Sequence, residues 1–169
     1  MKHQYHPVHD NGECEKIIEG TFHGIMVFSS GDGAPYGVPL NHAYAGGRFY
    51  FHCAPHGRKI DCIRRNPKVT YIVKKYYGDA ERFESAKRCH GNWESVIATG
   101  RARIIEEREE LRHTFRTFMQ YYGEDDYEVS EELLEKTRAI VVDVEEMSAR
   151  RELEETNTEY FVWKPENPE

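Results

Sequence analysis

Residues 50–69, YFHCAPHGRKIDCIRRNPKV, gather two histidines, two cysteines and five basic side chains into twenty positions. From position 56 to 68, Arg58, Lys59, Arg64, Arg65 and Lys68 stand against Asp61 alone, a net +4 inside a chain of formal charge −7. A positive island in an acidic protein suits a small anionic ligand. The overall balance argues against nucleic acid or membrane, both of which want a broad basic face. Phosphate chemistry is legible in the residue types. Gly57 lets the backbone approach a ligand closely, and a helix starting there turns free N–H groups and the positive end of its dipole toward an anion. Arg58 and Lys59 in the first turn add a planar fork and a point charge. The bland alternative is a solvated basic helix, since charge runs usually face water.

Metal chemistry is the competing reading. His52, Cys53 and His56 offer nitrogen and sulfur, but adjacent strand residues point to opposite faces, so His52 and Cys53 diverge and no metal site is expected. Cys14, Cys53, Cys62 and Cys89 form no C-x-x-C pair, which removes the zinc-ribbon and dithiol motifs and leaves reduced thiols. Cys53 reads as a small buried hydrophobe. A different chemistry attaches to Pro39, which lies inside an apparent strand. It donates nothing to a ladder and so implies an edge, a bulge or backbone turned toward something other than a strand. Asn41 beside it carries donors and an acceptor, which suits an amide-edged heterocycle or, more simply, a turn.

The elements that must position these groups follow from pattern. Asp10 caps a helix over 10–19 with Glu13 answering it, and Gly20 ends that helix. FHGIMVFSS and YGVPLNHAY are strands joined by the turn GDGAP. In RFYFHCA, Phe49 and Phe51 face one side and Tyr50 and His52 the other, with His52 at the strand end. Residues 58–65 form two helical turns with Ile60 and Ile63 on one face, stopped by Asn66-Pro67. KVTYIVK is a strand, 75–92 a loop, and WESVIATGRARIIE a long strand with a bend or bulge at Gly100. The spacing of Leu111, Phe115, Phe118, Met119 and Tyr122 predicts an amphipathic helix over 107–122. A short helix capped by Ser130 and the strand AIVVDVEEM follow. Sequential hairpins with few, peripheral helices point to an antiparallel barrel of six or more strands, mainly β, and no G-x-G-x-x-G follows a strand. One domain over 1–169 fits the length, with 1–9 (His3, His6, His9) a mobile tail and 152–169 an acidic one in which only YFVWK is able to dock. No apolar run is long enough for a membrane span and no secretory signal is readable, so the expected location is the cytoplasm.

The run YGVPLNHAYAGGRFYFHCAPHGRKIDCIRRNPKVTYIV, followed by WESVIATGRARII and the helix after it, resembles the nitroimidazole-resistance branch of the pyridoxamine 5'-phosphate oxidase-like flavoproteins, most specifically in V-P-L-N, the F-H strand end and G-R-K. The resemblance implies a split β-barrel, a homodimer and FMN in a cleft between subunits. It puts Val38, Pro39, Leu40 and Asn41 along the isoalloxazine edge, His52 near the ring, and Gly57, Arg58 and Lys59 on the phosphate. Ser95 then touches the pyrimidine end, and Trp163 packs at the dimer cleft. The arginine-rich C-terminal motif of the oxidases proper has no counterpart in YFVWKPENPE, so their own activity is not expected.

The activity so implied is reduction of a small, flat, electron-poor molecule of the nitroaromatic type, with FMN as redox centre and NAD(P)H as donor. His52, whose ordinary pKa of about 6.5 lies near working pH, is the candidate to hydrogen-bond the flavin or substrate or to deliver a proton; the alternative is a purely structural role. Two rivals come from other classes. One is a non-catalytic flavin store, redox sensor or haem binder with His52 or His42 as axial ligand. The other is a dimeric scaffold with an empty cleft.

Overall fold

The alternation in RFYFHC holds in space: Phe49, Phe51 and Cys53 are buried while Arg48 and His52 face out. The computed structural model of the chain describes residues 8–77, 92–152 and 159–163. In chain order these form β1 (Val8–His9), α1 (Asn11–Glu19), β2 (His23–Ser29), β3 (Pro35–Asn41), β4 (Ala43–Ala45) and β5 (Arg48–Cys53). Then come α2 (Arg58–Arg65), β6 (Lys68–Tyr77), β7 (Asn92–Ile105), α3 (Arg108–Tyr121), α4 (Glu131–Lys136), β8 (Arg138–Glu152) and β9 (Glu159–Trp163).

The strands join one sheet in the order β1-β9-β8-β7-β6-β2-β3, with β5 pairing β8 and β4 pairing β5. Every ladder is antiparallel except the two-residue β1–β9 pair. This is the expected mainly β split barrel. The split occurs on β8. Residues 138–143 of that strand pair with β5, and 147–151 pair with β9. Between the two stretches the β7 register slips at Thr99/Gly100, so the bulge expected at Gly100 is where one strand changes neighbours. A bulge bends and twists the strand that carries it, which is what serving two partners requires.

Inside the curled sheet lies one core. Met26, Phe28, Phe49, Phe51, Tyr71 and Ile140 line it, α1 adds Cys14, Ile17 and Ile18, and α2 closes it with Ile60, Cys62 and Ile63. At about 1.5–3 kcal/mol for each large side chain buried, this cluster is the dominant favourable contribution to folding. A second cluster packs α3 and α4, through Leu111, Phe115 and Leu134, against Ile105, Ala139 and Val141. The AIVV run of β8 is continuously apolar because both of its faces are covered.

Several expectations change in detail. YGVPLNHAY is two strands broken at His42, and the predicted strands at 68–74 and 139–147 run on to Tyr77 and Glu152. Most of the expected 75–92 loop lies outside the described residues. Asp10 caps α1 by accepting the Glu13 N–H at 3.2 Å. Glu13 does not reciprocate, because its carboxylate is taken by Lys16 and Arg151, each at 2.7 Å. Neither tail is wholly a tail: Val8–His9 pairs with β9, and Glu159–Trp163 pairs with β8. Trp163 is only 6% exposed and belongs to its own chain's core, against Gly47. Among the described residues, no helix is long and apolar enough to cross a membrane, and no group of three His, Cys, Asp or Glu is placed to hold a metal.

Candidate functional site

The site is organised by the start of α2. Gly57 precedes it at φ 125°, ψ 169°, a backbone region hostile to L side chains, with open space around the position. Glycine is therefore required there by conformation and not by close approach. Because Ile60, Cys62 and Ile63 are drawn into the core, the basic residues of the helix are turned toward solvent. They do not stay together. The Arg58 guanidinium lies 4.2 Å over the Tyr36 ring on β3. The Lys59 charge is felt at the end of β5, where it helps lower the pKa of His52 and offsets the burial that raises that of Cys53. Arg64 is occupied by Glu106 at 2.9 Å. Arg58 and Arg65 line an open basin of about 480 Å³ with Ser30, Gly31 and Asp32 at the β2–β3 hairpin tip.

The V-P-L-N strand is the sheet's terminal strand and pairs with β2 alone. Pro39, opposite Ile25, is tolerated there because an edge strand has one side with no ladder to fill. The strand's side chains divide by parity. Val38 and Leu40 pack against the core, as Tyr36 does, while Pro39 and Asn41 are exposed. Val38 and Leu40 are thus barrel wall, with backbone alone to offer at the edge.

His52 is exposed, its ring edge-on to Phe118 at 5.2 Å, and partial burial followed by the Lys59 charge lowers its pKa from the ordinary histidine value. It is a neutral imidazole at pH 7, able to donate from one nitrogen and accept at the other. His42 is quite different. Its ring is 0% exposed, edge-on to Phe49 and Tyr71, and Nδ1 is 2.9 Å from the Tyr71 hydroxyl. No planar macrocycle can reach it, so the axial-ligand reading fails for His42.

Ser95 is not brought to the others within one chain. Tyr36 shares its cross-sheet row with Phe28, Val69 and Gly100. Ser95 is therefore about 17 Å along and, three strands away, about 14 Å across. Its own neighbours are Lys74 and Arg150, both of which lie over the Trp93 ring, at 4.7 and 5.4 Å. Between the two groups the outer sheet face carries a row of Pro39, Ile25, Ile72 and Ile97, with Ile25 48% and Ile97 45% exposed. Sequence reasoning missed Tyr36, Arg65 and the hairpin tip. Arg65 was within reach, since seven residues from Arg58 is two helical turns; Tyr36 and the tip are assembled by the β2–β3 hairpin.

Comparison with known proteins adds ancestry to this geometry. A family model described as pyridoxamine 5'-phosphate oxidase matches residues 10–151. An uncharacterized protein of Rhizobium meliloti is 32% identical over 82 residues, 48% of this chain, and the match spans 46% of that relative's length. Among solved structures, a candidate 5-nitroimidazole antibiotic resistance protein from Bacteroides thetaiotaomicron superposes with TM-score 0.72 at 24% identity, covering 88% of this chain and 95% of that one. An FAD-binding protein from Mesorhizobium loti does so with TM-score 0.64 at 23% identity, covering 85% and 96%. A flavocytochrome from Azotobacter vinelandii follows with TM-score 0.72 at 18% identity, covering 96% and 83%. At these identities the structures speak for a shared fold.

Proposed function

Because the chain belongs to the pyridoxamine 5'-phosphate oxidase family, we propose that it is a flavoprotein holding FMN between the free edge of β3 and the start of α2, and that it reduces small electron-poor molecules of the nitroaromatic type. The observation that carries this reading is the placement of two cations that make no ion pair among the described residues, Arg58 and Lys59, at the start of α2 directly after Gly57. Arg48, Arg64, Arg101, Arg103, Arg108, Arg112 and Arg151 each hold a carboxylate. Arg58 and Lys59 make no ion pair among the described residues, although acidic residues outnumber basic ones 30 to 23. A phosphate dianion beside Gly57 supplies the missing charge, and the first-turn N–H groups of α2 supply further donors.

When bound, FMN accepts a hydride equivalent and passes electrons on. The chain's own residues do the rest. Arg58 and Lys59 anchor the phosphate, and the free edge of β3, with the exposed Asn41 amide, presents donors and acceptors to a heterocycle edge. His52, neutral and exposed, can give a proton from one ring nitrogen and recover it from solvent. Its place at the end of β5, close enough to feel the Lys59 charge, supports that role beside the ligand. NAD(P)H is the donor this reading assigns. Ser95 and Trp93 lie too far from Lys59 to meet the same ligand within one chain, so the second copy of a homodimer contributes them to the cleft. The nitroimidazole-resistance protein and the FAD-binding protein support the reading by shared fold, and the flavocytochrome keeps a haem within the architecture's repertoire.

The visible spectrum of the purified protein is the first test. Bands of oxidised flavin, restored by adding FMN to stripped protein, are expected; a haem Soret band without flavin overturns the proposal. Replacing Arg58 and Lys59 together by alanine should weaken FMN binding by up to about 10³-fold, from the loss of about 2 kcal/mol at each of the two charge-assisted contacts. Unchanged affinity would remove the phosphate assignment. Flavin at full occupancy with no turnover of nitro compound or nicotinamide would make the protein a store or sensor.

A further inference from the structure

Six large apolar side chains are exposed among the described residues: Phe22, Ile25, Tyr76, Tyr77, Ile97 and Tyr122. Ile25 and Ile97 belong to the outer row of the sheet, and Tyr76 and Tyr77 lie under Lys74 and Lys75, at 4.5 and 4.8 Å. That leaves Phe22, 56% exposed, and Tyr122, 37% exposed, whose ring centroids are 5.7 Å apart. Isolated exposed apolar side chains are ordinary; a contiguous pair is a surface that can hold something. From Tyr122 the strip runs to Phe118 at 5.1 Å, and from Phe118 to His52 at 5.2 Å. Its other end adjoins the exposed Asn41 of β3, because His23, the residue after Phe22, is the ladder partner of Asn41. We propose that this strip is the stacking platform for the substrate ring, with Phe22 and Tyr122 as its specificity-determining residues.

Both positions are anchored to the core. The Tyr122 hydroxyl donates to the His42 carbonyl at 2.8 Å, and the His42 N–H donates to the Phe22 carbonyl at 3.1 Å. His42 itself is fully buried, so the two exposed rings are tied to a fixed point between them. Tyr122 caps the end of α3, and Gly123 at φ 86° turns the chain away behind it. With its hydroxyl committed to a backbone oxygen, Tyr122 offers a ligand its ring. The face of an aromatic ring carries negative charge density, so a ring depleted of electrons stacks on it more strongly than a saturated ring of the same size. Phe22, Phe118 and Tyr122 bring no charge, and they therefore read flatness and electron density and not an ionic group. The occupant this selects is a neutral, flat, electron-poor ring, held between the two residues, His52 and Asn41, that the proposed function turns toward the flavin.

This inference rests on the flavin reading above. The test compares Phe22→Leu and Tyr122→Leu, which keep apolar bulk and remove the ring, with Phe22→Tyr and Tyr122→Phe, which keep the ring. In the full chain loaded with FMN, the probe is para-nitrobenzyl alcohol, a neutral nitroaromatic. KM for the probe should rise about fivefold in each leucine variant, while kcat, KM for NADPH, FMN affinity and molar mass in light scattering stay within twofold of wild type. Both ring-keeping variants should match wild type in every quantity, a rescue that a merely space-filling role would not need. The platform is overturned if KM for the probe is unchanged in the leucine variants. It is also overturned if KM for NADPH rises in its place, which would make the strip a donor site, if FMN affinity falls with it, which would make the rings flavin contacts, or if the molar mass falls, which would make them a contact between copies. Should wild type bind no flavin or turn over no nitro compound, the reading above fails on its own. Titration of wild type and Phe22→Leu with the same probe, followed by ligand NMR, then still decides the platform: binding about fivefold weaker in the variant supports it, and equal or absent binding overturns it.

Discussion

His42 shows how one residue can tie stability to pH. Burial disfavours its charged form and lowers its pKa from 6.5 to about 4, and the Tyr71 hydroxyl that meets its Nδ1 is also 2.9 Å from the Leu40 carbonyl. The unfolded chain takes up a proton near pH 6.5 and the folded one does not until about pH 4. Stability from this group is therefore complete above pH 6.5 and is lost as pH falls toward 4, by up to about 3 kcal/mol. Urea unfolding between pH 7.5 and 4.5 should show this loss, and His42→Phe should flatten the histidine-dependent part. Equal pH dependence in the two proteins would mean that the buried ring is not the titrating group. His52 acts in the same direction, since partial burial and then the Lys59 charge lower its pKa too, but its ring is not sealed in the core as that of His42 is.

Among the elements, β8 carries the strongest constraint, since it must serve β5 and β9 in succession. Gly100 opposite the partner change has no room for a side chain: a Cβ there would collide with the Asp143 carbonyl oxygen and lie 3.1 Å from the Val144 Cα. Those are backbone atoms that cannot swing aside, so Gly100→Ala should cost about 1–3 kcal/mol. Denaturant midpoints would record it; a variant as stable as the parent would show that the bulge adjusts freely. α2 is the opposite kind of element. Its boundaries, Arg58 to Arg65, were readable from the Ile60/Ile63 spacing and the Asn66-Pro67 stop, because each is a local signal. The direction of Arg58 was not, since it is set by the Tyr36 ring on β3.

For the molecule as a whole, the outer row of Pro39, Ile25, Ile72 and Ile97 is the surface we propose for the homodimer contact. Two isoleucines about half exposed on one flat face lose apolar contact with water when a second copy covers them. The same proposal has Ser95 and Trp93 of one chain meeting the β3 edge of the other. Ile97→Glu should shift the protein to monomer in light scattering and reduce flavin occupancy along with it. A monomeric variant with full flavin occupancy would place the whole site within one chain, and a variant that stays dimeric would move the interface elsewhere.

Sequence alone determined the barrel class, the helix after Gly57 and the inward and outward faces of β5, and it narrowed Pro39 to an edge, a bulge or backbone turned from the ladder and Gly100 to a bend or bulge. All of these rest on period, capping or the chemistry of a single residue, which act over a few positions of chain. Only the tertiary structure decided that Trp163 and Val8–His9 belong to the sheet, that His42 is sealed in an aromatic core, that Ser95 stands apart from Tyr36, and that Arg58 lies over the Tyr36 ring. Each of those depends on which strand lies beside which, and register between segments a hundred residues apart is set by the packing of the whole core.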